Sequence, residues 1–228
     1  MNYRAYWRTL LAAAALATPA GLAAAPANGT SLLIASPDML GTRAIPIRAD
    51  RFADSLRRAR EDATRSPLLQ RMVAPAASMP PLQKMAFVQA AVTKSIRWIS
   101  DATEWGQHDY WASAAQTLAH GAGDAKNRAI VKLQALRALG FSNSDLFLTL
   151  ARDKVGGPIT VLTVRNGGRY YVMDDTGGRP FTVEERSREF KPLMSFGMYG
   201  AWVHMPRTTL APSTLVAASA ATPGTARK

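Results

Sequence analysis

The position best suited to nucleophilic chemistry in this chain is the one directly after Asp124. Asp124 follows Gly121-Ala-Gly123 and precedes a run in which Ala129, Leu133 and Leu136 recur at helical spacing, flanked by Ile130 and Leu139. Its carboxylate suits the N-cap, and Gly140 suits the left-handed residue that ends a helix. Position 125 therefore falls in a first helical turn, where the positive end of the dipole lowers a thiol's pKa. A cysteine there would be an activated nucleophile. The residue is Ala125, and none of the 228 residues is cysteine. No disulfide can form, and no other thiol can take over the role. Nearby in sequence, Ser113, His108 and His120 are the remaining candidates for acid–base or nucleophilic work. No Ser-His-Asp spacing joins them, and loop histidines are most often solvated bystanders.

The residues around Ala125 form an ordered series. It reads Asp109-Tyr-Trp-Ala112, Gln116-Thr-Leu118, Gly121-Ala-Gly-Asp-Ala-Lys-Asn127, Ala129-Ile-Val-Lys132 and Leu136-Arg-Ala-Leu-Gly140. This series resembles the bacterial transglutaminase-like cysteine proteinases, which include calcium-dependent periplasmic proteases that release surface adhesins. Their pattern is close to D-Y-W-A, E-T-L, G-x-G-D-C-E-D-x-A-I-x-K and L-x-x-L-G. The scaffold residues match and the chemical ones do not. Phe190-Lys-Pro-Leu-Met-Ser195 and Trp202-Val-His204 extend the likeness to a family ending of the type Y-K-P-x-x-S and W-x-H, so that it covers roughly residues 82–207.

The resemblance also implies where a triad would lie. The family's hairpin begins G-H-A-V-L-x-V and ends L-D-N; here the segments read Pro158-Ile-Thr-Val-Leu-Thr-Val164 and Met173-Asp-Asp175. That register puts Ile159 on the histidine's position and Asp174 on the aspartate's. Thr160, on the opposite face from its neighbour, is not expected to replace the base. The triad survives as Ala125, Ile159 and Asp174, with Asp174 expected to accept nearby backbone amides. Of the acids that flank the family's nucleophile Asp124 remains, while Lys126 and Asn127 replace two. An ammonium at a calcium ligand's place repels the ion, so neither metal nor cofactor is expected. Ala125 and Ile159 should leave an apolar floor bordered by Tyr110 and Trp111. Such a groove either holds a peptide without cutting it or closes up, with Ile159 filling the imidazole's space.

The elements that must position these residues follow from periodicity. Arg48–Leu69 has helical propensity, with Phe52, Leu56 and Ala59 as a buried stripe and Arg57, Arg58 and Arg60 on a charged side. Prolines 75, 80 and 81 separate it from a second helix at Leu82–Ile99, with Met85, Val88, Val92 and Ile96 apolar; Trp98 and Trp105 read as packing residues. After Gly140 the period alternates. Leu146–Arg152, Ile159–Arg165 and Arg169–Met173 read as strands joined at Lys154-Val-Gly-Gly-Pro158 and Asn166-Gly-Gly168. The implied class is α+β, a papain- or transglutaminase-like fold with N-terminal helices followed by an antiparallel sheet.

The chain divides into a signal peptide over 1–27, a lead-in and charged helix over 28–81, the domain over 82–207 and an Ala/Thr/Pro-rich disordered tail over 208–228. Arg4 and Arg8 form the charged start of the signal, Leu10–Leu22 its apolar core, and Pro19 interrupts any spanning helix. Removing those two arginines lowers the net charge from +12 to +10. That basicity suits anionic envelope polymers or an acidic partner, and equally suits mere solubility. No nucleic-acid motif stands out.

Three functions fit the sequence. One is an inactive homologue that binds a protein or peptide: an adhesin-like segment, an active protease paralogue or a periplasmic receptor domain. The second is a hydrolase using Ser113, His108 or His120. The third is a basic module that binds envelope polyanions.

Overall fold

A computed structural model of the chain describes residues 36–176 and 178–207. The expected signal segment and the C-terminal tail lie outside the described residues, as does the start of the lead-in. Among the described residues, no helix is long and apolar enough to cross a membrane.

The fold is α+β. After a first strand come helices α1 (Ala53–Arg60), α2 (Pro67–Val73) and α3 (Pro81–Ser95). Short helices α4 (Asp101–Trp105) and α5 (Ala114–His120) then lead to α6 (Ala125–Ala138). The strands that follow join the first strand in a seven-stranded antiparallel sheet. Its strands are β1 (Thr42–Pro46), β4 (Leu146–Arg152), β5 (Pro158–Asn166), β6 (Arg169–Met173), β7 (Phe181–Thr182), β8 (Lys191–Phe196) and β9 (Ala201–Pro206). They lie in the order β1-β9-β8-β4-β5-β6-β7. Two dipeptides, β2 (Arg97–Trp98) and β3 (Ala122–Gly123), pair in parallel beneath the start of α6. Gly167 and Gly168 both have positive φ, as the tight β5–β6 hairpin requires.

The sheet separates two cores because side chains alternate along each strand. Leu148, Leu150, Leu162, Val164 and Met173 face the helices. Phe147, Ala151, Val161, Val172 and Trp202 face the other way, under Met39, Phe181 and Phe190. Helix α6 lies on β5 at the centre of the first layer, with α3 and α5 beside it. It is buried nearly all round, and its polar residues Lys126, Asn127, Arg128, Lys132 and Gln134 are buried too. A helix inside a domain must satisfy such groups internally, and this one does so for all but Arg128 Nε, which is buried without a partner. Arg128 pairs with Asp175 and donates to the Ile96 carbonyl. Lys132 donates to the Asp174 carbonyl, and Gln134 to the Ala59 carbonyl.

Several expectations need correction. The single helix over Arg48–Leu69 is two. The Asp62 carboxylate accepts the Thr64 amide to form a turn, and Pro67, lacking an amide proton, starts a new helix at its first position. The helix expected to reach Ile99 ends at Ser95, since the chain must extend to pair Arg97 and Trp98 with β3. Trp98 is half exposed and is not a packing residue. Trp105 does pack, against Tyr110 and His120 at ring-centroid distances of 4.8 and 4.7 Å. The lead-in contributes β1, which pairs with β9 at the sheet's edge. Arg58 and Arg60 are not a free basic face. Arg58 donates to the Trp111 carbonyl, and Arg60 to the Gly197 carbonyl.

Candidate functional site

Gly121 ends α5 in the left-handed conformation, Ala122 and Gly123 pair with β2, and Asp124 then caps α6. The Asp124 carboxylate accepts the amides of Lys126 and Asn127, each at 3.1 Å. Ala125 stands at the first position of the helix and is half-buried. A nucleophile's location is thus built in full, with a methyl group where a reactive atom would be.

The base is missing in a different way from the one the sequence implied. Ile159 pairs with Ala151 across β4–β5 and packs with the core on the far face of the sheet. It neither faces α6 nor forms a floor with Ala125. Thr160 pairs with Leu150 and shares the helix-facing side with Leu162 and Val164. An imidazole aimed at α6 from this strand would have to start from position 160. The one-residue difference arises because the resemblance fixes register along the chain, whereas the pleat fixes the face.

Asp174 directly follows β6, and its carboxylate is engaged. Its Oδ1 accepts the Thr176 amide at 3.1 Å and the Thr176 hydroxyl at 2.7 Å, and Gln89 Nε2 lies 3.4 Å away. Its carbonyl holds the Lys132 ammonium. Burial pulls Lys132 down to about 8, against the opposing charges of Asp175 and Asp174.

The expected borders of a groove are not both available. Trp111 is a core residue, 2% exposed, packed edge-on against Phe196 and beside Phe52. Tyr110 is half-buried under the Arg58 guanidinium, 4.6 Å from its ring centroid. Ala125, Ile159, Tyr110 and Trp111 therefore do not form one groove. An open depression of about 420 Å³ lies instead by Arg65, Arg137 and Phe141, at the far end of α6.

Of the alternative catalytic residues, His108 is exposed, and Ser113 and His120 are held in structural contacts. Ser113 is buried and caps α5, its hydroxyl accepting the Gln116 amide while Gln116 Oε1 accepts the Ser113 amide. His120 Nδ1 sits 2.8 Å from Glu104 on the surface. His204 lies on the far face of the sheet, with Nε2 2.8 Å from the Ser195 hydroxyl and Nδ1 3.0 Å from Thr42. Burial lowers its pKa to about 4. It is a neutral structural imidazole.

The centre of charge is Lys126. Its buried ammonium bonds Asp101 Oδ2 and Asp124 Oδ2, and Asp109 Oδ1 lies 3.3 Å away. Burial works against the ammonium, but Asp124, Asp101 and Asp109 more than offset it and push its pKa up to about 12. Asp101 is raised above the usual carboxylate range, by burial first and then by Asp124. Asp101 also accepts the Tyr110 amide and Asn127 Nδ2, and Asn127 in turn accepts the Ala112 amide. Sequence reasoning overlooked Asp101, whose only signal is an acid in the first turn of α4, where surface carboxylates are also common. The calcium implied by the resemblance does not fit: the ammonium lies among the carboxylates that would hold it. No group of three or more candidate ligands among the described residues is arranged for a metal.

The family model for bacterial transglutaminase-like cysteine proteinases matches residues 52–209. The chain belongs to this family. Among solved structures, Legionella pneumophila LapG is 20% identical with a TM-score of 0.51, covering 70% of this chain and 90% of LapG. Its calcium-bound form is 20% identical with a TM-score of 0.53, covering 69% and 88%. These likenesses establish a transglutaminase-like fold for this proteinase-family chain. No curated protein matches it.

Proposed function

We propose that this chain is a catalytically silent member of its family, exported to the periplasm or beyond, where it binds a protein or peptide rather than cutting one. The observation that carries the proposal is Ala125 at the start of α6, in a chain without any thiol. Thr160 and Ile159 supply no imidazole on either face of β5. The scaffold around the lost nucleophile is kept, as Asp124 still caps the helix and Asn127 still holds the Ala112 amide. An adhesin-like segment, an active protease paralogue and a periplasmic receptor domain are the partner classes that suit such a scaffold.

Activity and partner are tested separately. The purified chain should leave peptide and protein substrates at background, with or without thiol reagents. Turnover lost on Ser113→Ala or His120→Ala would replace this reading with that of an unrelated hydrolase. Capture from envelope extract at low and high salt tests the binding role. Salt-resistant capture of one protein supports it, whereas salt-labile capture of many favours polyanion binding through the +10 charge remaining after signal removal.

A further inference from the structure

An ammonium has three N–H donors, and Lys126 meets three carboxylates. Each of these acids comes from a different segment: Asp101 starts α4, Asp109 precedes Tyr110 and Trp111, and Asp124 caps α6. Asp124 and Asp101 accept further donors as well. Asp124 Oδ1 accepts two helix amides, while Asp101 accepts the Tyr110 amide and Asn127 Nδ2. Three converging carboxylates, all at least three-quarters buried, repel one another strongly unless a cation stands between them. A hard divalent ion with oxygen ligands is the usual solution to such a cluster.

We propose that the Lys126 ammonium is a tethered replacement for a divalent cation, tying residues 101–112 to the first turn of α6 without metal. The replacement is covalent, so it cannot be lost to a chelator or released when calcium falls. The linkage is therefore permanent. Removing the ammonium leaves three carboxylates with no counter-charge, so a divalent cation should be drawn to the vacated position. The inference stands independently of whether the chain is catalytically silent.

The test is thermal unfolding of the full chain and of Lys126→Gln, in EGTA, in millimolar calcium chloride, and in sodium chloride of equal ionic strength. The expected result is one unchanged Tm for the unsubstituted chain in all three. Lys126→Gln should melt lower in EGTA and rise in calcium but not in sodium, since a ligand stabilises only the state that binds it. A calcium-dependent Tm in the unsubstituted chain overturns the proposal, as does a Lys126→Gln Tm indifferent to calcium. If Lys126→Gln folds only with calcium, the proposal is supported. If it folds under neither condition, Lys126→Gln/Asp101→Asn, with less repulsion, is titrated calorimetrically with calcium; heat of binding supports the proposal and its absence overturns it.

Discussion

Arg58 Nε donates to the Trp111 carbonyl at 2.8 Å, joining α1 to the Asp109–Ala112 segment 53 residues away. The same guanidinium lies over the Tyr110 ring. A residue that reads as part of a solvated charged face is thus a clamp on the segment leading to α5 and α6. Arg58→Ala should cost about 1.5–3 kcal/mol, the range for a charged hydrogen bond to a buried group. Arg57→Ala removes only an exposed pair with Asp54 and should cost under about 0.5 kcal/mol. Urea unfolding of both variants checks the contrast, and equal costs would mean Arg58 is solvated as well.

His204 should make stability pH-dependent. Its folded pKa of about 4 lies below the ordinary value of 6.5, so between these values the unfolded chain binds the extra proton. Stability therefore falls as pH drops from 6.5 toward 4, by at most about 3 kcal/mol. Denaturation midpoints measured through that range should decline, and His204→Gln should flatten the decline. An unchanged slope in His204→Gln would assign the effect to other groups.

Gly123 has no room for a side chain. A Cβ there would stand 2.9 Å from Asn127 Cβ and 3.1 Å from Thr117 Cγ2. Gly123→Ala should destabilise the chain by about 1–3 kcal/mol, as overpacking does. It should also displace Asn127 from the Ala112 amide. Faster hydrogen exchange at Ala112, compared with an unaffected amide in β5, is the specific sign of that displacement.

The face of β5 can be tested with an introduced thiol. Ala125→Cys alone should show no proteolysis, having no base. Adding Thr160→His should lower the thiol's pKa by bringing an imidazole to the helix-facing side, whereas Ile159→His should not. Alkylation rate against pH reads both. A lowered thiol pKa with Ile159→His and none with Thr160→His would reverse the assigned face.

The sequence by itself determined the family, the α+β order of elements and the loss of the nucleophile. Each of these rests on local information. Asp124, Ala125 and Gly140 mark a helix start and stop, alternation marks β4 to β6, and the absence of cysteine is a matter of composition. Tertiary structure decided which way those elements face and how the buried charges pair. Ile159 and Thr160 differ by one residue, and only the pairing of β5 with β4, under α6, says which one meets the helix. Trp111 and Trp98 are the same residue type in similar surroundings, yet one is core and the other half exposed, because packing depends on partners distant in sequence. Lys126 reads as a charge that spoils a metal site. Only the convergence of Asp101, Asp109 and Asp124 makes it a cation in its own right, because its charge acts through spatial neighbours rather than sequence neighbours.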